Sequence, residues 1–204
     1  MTNINKIFLK AIIVFLILFS VKAESNIVSV GKTDAKVTVK VFSSLTCPAC
    51  ASWHSKIFYK MKKDFIDEGL VRFEHHAFPL DMAALNAEII LRCTVDNNKR
   101  FKLLGKIYEK QSAWAVGSDI NKINESIKKI GLEVDLKKDD MDKCLKNDKF
   151  QDEILNQRIE AQKIYKIEAT PTVIINEKKY TGKVEYSKFK KEIEKNLTKN
   201  GLFK

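Results

Sequence analysis

The strongest constraint on this chain is a change of hydrophobic period with two cysteines at the change. Val37-Thr38-Val39-Lys40-Val41-Phe42 alternates with period two, as a half-buried strand does. From Ala51 the apolar residues Trp53, Ile57, Phe58, Met61 and Phe65 recur at helical spacing. Cys47-Pro48-Ala49-Cys50 lies at the handover. Two cysteines at this spacing can close a disulfide without much backbone strain, and the N–H groups of a helix start favour a thiolate. Pro48 removes a donor where a helix start needs none. The stretch therefore points to thiol-disulfide chemistry.

The order of elements extends from there. The helix from about Ala51 to Glu68 ends at Gly69, a natural C′ residue, and residues 70–78 form a second strand closed by Pro79. Strand, helix, strand implies a parallel pair with a right-handed crossover. Some 85 residues with helical patterning follow. The expected helices run from Asp81 to about Val95, from Arg100 to Gln111, from a Ser118 cap to Gly131, from Asp139 to Leu145 and from Asp148 to Tyr165. Strand character returns at Thr172–Ile175, Asn176-Glu177-Lys178 makes a turn, and Lys179-Tyr180-Thr181 pairs back. A last helix, Ser187 to Leu197, carries Phe189, Ile193 and Leu197 on one side. Residues 24–36 are polar and contain a turn at Gly31-Lys32-Thr33-Asp34.

The first 23 residues differ in kind. Lys6 and Lys10 flank an apolar run from Ala11 to Val21, and Val21-Lys22-Ala23 has a small-residue cleavage pattern, as in a secretory signal peptide. An uncleaved anchor is the alternative, but the run is short of the ~20 residues a spanning helix needs. Export to the periplasm would allow disulfides to persist. Removing residues 1–23 takes three lysines and no acid from the formal charge of +11, leaving +8. The remaining lysines are interleaved with acids, as in residues 188–195, which is a solvated face and not a nucleic-acid stripe.

Taken together, Phe42-Ser-Ser-Leu-Thr-Cys-Pro-Ala-Cys50, Ala169-Thr-Pro-Thr-Val-Ile-Ile-Asn176 and the helical block between them resemble the DsbA family of periplasmic thiol-disulfide oxidoreductases. The resemblance covers roughly Lys36 to Leu197. It implies an α/β thioredoxin fold, a mixed sheet built βαβ then ββα, with an inserted all-helical domain. The corresponding division is a thioredoxin-like part at 24–80, an insertion at 81–166 and a second thioredoxin-like part at 167–204. It further implies Cys47 as the exposed attacking sulfur, Cys50 as its buried partner, Pro171 as a cis-proline and Thr170 as a backbone contact for extended substrate. Two departures bear on strength. Many members carry His before the second cysteine, where this chain has Ala49, and a buried acid before the strand Phe, where it has Val41.

Other readings of the same residues are blander. Cys-x₂-Cys is also half of a zinc site, but no second pair exists and His54, His75 and His76 lack ligand spacing, so no metal or cofactor is expected. A purely structural Cys47–Cys50 disulfide and an ordinary loop proline at 171 are the remaining plain alternatives. His54, one turn after Cys50, is expected on the helix surface more often than beside the thiols. His75 and His76 face opposite sides of their strand, so only one can approach the site. Trp53 and Trp114 are core or surface aromatics. Cys93 and Cys144, both in the insertion, are expected to pair in an oxidising compartment, two buried thiols being the alternative. Family members often lack such a bridge, which makes it dispensable for catalysis.

The function expected is dithiol oxidation through a Cys47 mixed disulfide, with reduced or misoxidised exported proteins as substrates. A membrane partner or small-molecule oxidant would restore the pair. An isomerase or reductase is the alternative, and a binding module with a structural disulfide is a further one. Isomerases of related fold usually dimerise through an added N-terminal domain. Only some 13 residues lie between the expected cleavage point and Val37, so a monomer is expected.

Overall fold

The computed structural model describes residues 27–182, 184–199 and 201. The expected signal segment lies outside the described residues. Strand β1 is Val28–Val30, β2 Val37–Ser43, β3 Val71–Ala77, β4 Thr172–Ile175 and β5 Lys178–Lys179, in the sheet order β1-β3-β2-β4-β5. Strand β2 is central, parallel to β3 and antiparallel to β4, so the cysteines follow the middle strand of the sheet. Its alternation buries Val37, Val39 and Val41 on one face. The other face holds Phe42, which packs with Phe78, Ala161, Ile167 and Ile174.

Helix α1 spans residues 48–66 and lies on the first face, with Phe58 against Phe73 at 4.7 Å and Trp53 stacked on Phe73 at 6.3 Å. It begins at Pro48, three residues before the sequence pattern, because a proline at the first turn needs no hydrogen-bond acceptor. Two widened π-type turns, His54–Phe58 and Lys62–Ile66, interrupt it. Each adds an i→i+5 turn where neighbouring apolar residues, Ile57 with Phe58 and Phe65 with Ile66, are buried together. Gly69, with φ of +73°, ends the helix as expected.

Helices α2 (Met82–Leu91), α3 (Asn97–Glu109), α4 (Gln111–Trp114), α5 (Ile120–Leu132), α6 (Lys138–Leu145) and α7 (Asp148–Tyr165) form the insertion, and α8 (Tyr186–Lys199) closes the fold. One buried cluster runs from Val39 and Phe73 in the sheet to Leu104 and Ile127 in the insertion, and Phe189, Ile193 and Leu197 of α8 join it.

Several boundaries depart from the sequence reading. Strand β1 was hidden in the polar segment before Val37: Val28-Ser29-Val30 is too short for a periodic signal, yet it pairs antiparallel with β3. The turn after it requires glycine, since a Cβ on Gly31 would lie 2.4 Å from the Val71 carbonyl oxygen. Helix α2 stops at Leu91, short of Val95, and α3 starts at Asn97, ahead of Arg100, because the Asp96 carboxylate accepts the Asn98 and Lys99 N–H groups. Asp119, and not Ser118, caps α5. The β4–β5 turn has two residues, Asn176 and Glu177, both at positive φ, so Lys178 pairs with Ile175 and the returning strand is Lys178–Lys179.

The outer face of β3 carries an ionic group. Glu74 accepts from Arg72 Nε and contacts His76 Nε2, each at 3.0 Å. The His76 hydrogen bond, assisted by Arg72 and opposed by burial, holds the Glu74 carboxyl down to about 2 from an ordinary 4.5. A carboxylate with a depressed folded pKa stabilises the fold above its unfolded value and loses that contribution as pH falls through its folded one. Unfolding free energy is therefore expected to drop between about pH 4.5 and about pH 2. Glu74→Gln should flatten that decline and cost about 1–3 kcal/mol at neutral pH, read by denaturant titration.

Candidate active site

The handover from β2 to α1 sets the site. Cys47 occupies the N-cap with extended backbone, its carbonyl accepts the N–H groups of Cys50 and Ala51, and its own N–H donates to the Ser44 carbonyl. Cys47 is half-buried and Cys50 is 1% exposed, both as thiols. The Cys47 sulfur lies 3.4 Å from the Thr170 carbonyl oxygen, and the Thr170–Pro171 bond is cis. Residues 123 apart in sequence are thereby brought face to face.

The loop that presents Cys47 is anchored from the insertion. Gln111 Nε2 donates to the Leu45 carbonyl at 2.7 Å and the Cys47 carbonyl at 3.1 Å. Thr46 Oγ1 donates to Asp81 Oδ2 at 2.6 Å, while Asp81 Oδ1 caps α2 through the Ala84 N–H. Exposed Leu80 and Met82 flank Asp81. Sequence reasoning missed Gln111, whose only signal is a polar residue ending an apolar helical stripe.

The two sulfurs are electrostatically unlike. Partial burial works against a charge on Cys47, but Thr170, the N–H groups of Cys50 and Ala49 and the Cys50 thiol outweigh it, and its pKa falls below the ordinary thiol value. Burial dominates at Cys50; Thr170 and the Ser44 backbone offset it in part, the Cys47 charge adds to it, and the pKa is pushed up to about 12. The buried Thr170 hydroxyl has no well-directed hydrogen-bond partner, yet it lies close enough to both sulfurs to favour their charged forms. Position 49 is exposed and supplies no side-chain charge.

The histidines divide. His54 is buried, against expectation, because the widened turn rotates it inward; it stacks on Phe58 at 4.7 Å and packs on Tyr108 at 4.9 Å. Burial, reinforced by the nearby His75, lowers its pKa to about 3, so it stays neutral. His75 faces inward to Glu88, and His76 faces outward to Glu74. Trp53 and Trp114 are both core residues, Trp114 Nε1 donating to the Ile107 carbonyl at 2.8 Å.

Cys93 and Cys144 form a disulfide joining α6 to the end of α2, with Cα atoms 5.8 Å apart and a sequence separation of 51. A loop of that length typically gains about 2–4 kcal/mol from closure. Cys93→Ser/Cys144→Ser is expected to lose that much stability in denaturant titration while keeping its Cys47 reactivity toward a thiol reagent.

A family model described as thioredoxin matches residues 22–195. Over 175 residues the chain is 33% identical to disulfide bond formation protein D of Bacillus subtilis, covering 82% of this chain and 75% of that one. The crystal structure of Wolbachia pipientis alpha-DsbA1 superposes with a TM-score of 0.78 at 26% identity, covering 85% of this chain and 92% of that one. The chain belongs to the DsbA family of thioredoxin-fold proteins. A Rickettsia bellii protein-disulfide oxidoreductase candidate is 30% identical over 155 residues, covering 76% of this chain. The chain spans 59% of that relative's length. The helical insertion is part of the shared DsbA architecture.

Proposed function

We propose that this DsbA-family chain is a dithiol oxidase that introduces disulfides into exported proteins through Cys47 and Cys50. The observation that carries the reading is the asymmetry of the pair. An accessible sulfur with a lowered pKa sits beside a buried one with a raised pKa, opposite a backbone carbonyl. A client thiolate attacks Cys47 Sγ; a client–Cys47 bond forms, the Cys47–Cys50 bond breaks, and the electron pair goes to Cys50, which takes up a proton. A second client thiolate attacks the client sulfur of this mixed disulfide, closing the client disulfide and releasing Cys47 as its stabilised thiolate. Two electrons have moved from client to enzyme, and a membrane partner or small-molecule oxidant removes them.

The Thr170 backbone beside Pro171 offers hydrogen bonds to an extended client segment. Exposed Leu80 and Met82 supply adaptable apolar contact. The protein acts as a periplasmic monomer on reduced or misoxidised exported chains. Oxidative refolding separates the oxidase from an isomerase: catalytic amounts plus oxidant should speed disulfide formation in a fully reduced client. A protein that rescues a scrambled client but leaves the reduced one at the background rate is an isomerase.

A further inference from the structure

The chain enters Cys47 through a turn that is held from two sides. The Cys47 N–H closes the turn on the Ser44 carbonyl at 3.1 Å. From the start of the insertion, the Leu80 N–H donates to Ser44 Oγ at 3.3 Å, and Asp81 Oδ2 accepts the Thr46 hydroxyl proton at 2.6 Å. Ser44 Oγ therefore donates to Thr46 Oγ1, 3.1 Å away. From the other side one amide nitrogen, Gln111 Nε2, meets two carbonyls, Leu45 at 2.7 Å and Cys47 at 3.1 Å. That nitrogen carries two hydrogens, one for each acceptor. Leu45 is fully buried, so its carbonyl needs such a partner. Gln111 is itself only 9% exposed and opens α4, whose Trp114 Nε1 donates back to the Ile107 carbonyl of α3.

Position 49 carries no charge, and what favours the Cys47 thiolate is a set of directed contacts: the Thr170 side chain, the Cys50 and Ala49 N–H groups and the Cys50 thiol. Such contacts weaken steeply with distance and angle, so the reactivity of the sulfur depends on where the backbone of residue 47 sits. We propose that Gln111 is a positioning residue for the thiol-disulfide reaction: by fixing the Leu45 and Cys47 carbonyls, it keeps the Cys47 sulfur at the start of α1 and opposite Thr170. Its amide acts on backbone carbonyls, and through them on the sulfur. The insertion is thereby tied to the reacting atom by a residue 64 positions away in the chain.

Gln111→Met isolates this role. It keeps the length of the side chain and its apolar stem, removes both donors and changes no charge. The titratable groups that interact with Cys47, Cys50 on α1 and Tyr108 on α3, are not touched by the substitution. A change in the titration of Cys47 then reports a change in the geometry around its sulfur.

The proposal rests on the reading of Cys47 as the reactive sulfur, and its test keeps the two apart. In Cys50→Ser protein, with Cys93 and Cys144 bonded, Cys47 is the one free thiol of the chain's four cysteines. Its thiolate is titrated by ultraviolet absorbance. Adding Gln111→Met should raise the midpoint, leaving about a tenfold smaller thiolate fraction at any pH below both midpoints. In protein with both active-site cysteines, the same substitution should shift the equilibrium with glutathione toward the disulfide by about the same factor. If Gln111→Met fails to fold, Gln111→Asn, whose amide is a methylene too short to meet both carbonyls, decides by the same midpoint. Cys93→Ser/Cys144→Ser in the Cys50→Ser background is the stability control and should titrate as its parent does. A folded Gln111→Met protein with its parent's midpoint, or an equal rise in the control, overturns the positioning role while leaving the redox pair standing. A Cys47→Ser protein that still oxidises clients overturns the redox reading itself.

Discussion

Cys50→Ser is expected to accumulate a client covalently attached through Cys47, and Cys47→Ser to lose dithiol oxidation by at least about a thousandfold, the scale seen when an active-site nucleophile is removed. The two substitutions differ because the two sulfurs do. Cys47 is the half-exposed sulfur that a client can reach, and Cys50 is sealed beneath it. With Ser at 50, Cys47 stays reactive: its lowered pKa comes from the Thr170 side chain, the Cys50 N–H and thiol and the Ala49 N–H, and a serine at 50 keeps the backbone donors and puts a hydroxyl in place of the thiol. Offered a client that already carries a disulfide, the Cys47 thiolate attacks one client sulfur, the client S–S bond breaks and a client thiolate leaves. With no Cys50 thiol to attack Cys47 in turn and that client thiolate alkylated, the adduct persists and is seen as a mass shift under non-reducing conditions. With Ser at 47 neither the enzyme disulfide nor the adduct can form. Adduct formation on Cys50 in Cys47→Ser would contradict this division of roles.

The second large effect concerns the core under the site. Glu88→Ala is expected to lower unfolding free energy by about 1–3 kcal/mol, because it leaves a buried His75 nitrogen without its hydrogen-bond partner. Both side chains are almost wholly enclosed, and the pair links α2 of the insertion to β3 of the sheet. Replacing both by leucine should recover most of the loss, since two apolar side chains leave no buried polar group without a partner. Denaturant titration of the single and double variants gives the coupling directly. A loss under about 1 kcal/mol for Glu88→Ala would mean that the cavity refills with water and the pair contributes little.

What the sequence made legible and what it hid divide along a physical line. The Cys47–Cys50 spacing, the Thr170-Pro171 step and the helical block are local patterns, and local patterns survive in one dimension. Gly69 and the α8 stripe were equally plain. Val28–Val30 was too short to show a period, and its strand exists only because β3 offers an edge to pair with. His54 was expected at the surface because a regular helix would carry it there; the π-type turn changes the phase and buries it. Glu88 gave no signal at all. It sits in the almost uniformly apolar helix Met82–Leu91, and its partner is 13 residues away on another element, so the pair depends on how α2 packs against the sheet. Val41 occupies the position where a buried acid was looked for, while a buried acid enters the core from α2 instead.

The central claim is that Cys47 and Cys50 form an oxidising pair, and its most direct measurement is their equilibrium with a glutathione redox buffer at pH 7, read by separating reduced and oxidised protein. Stabilisation of the Cys47 thiolate favours the dithiol form, so the account predicts a potential near or above about −180 mV, in the range of protein oxidants and isomerases. A value near about −270 mV, where thioredoxin-type reductants lie, would contradict it.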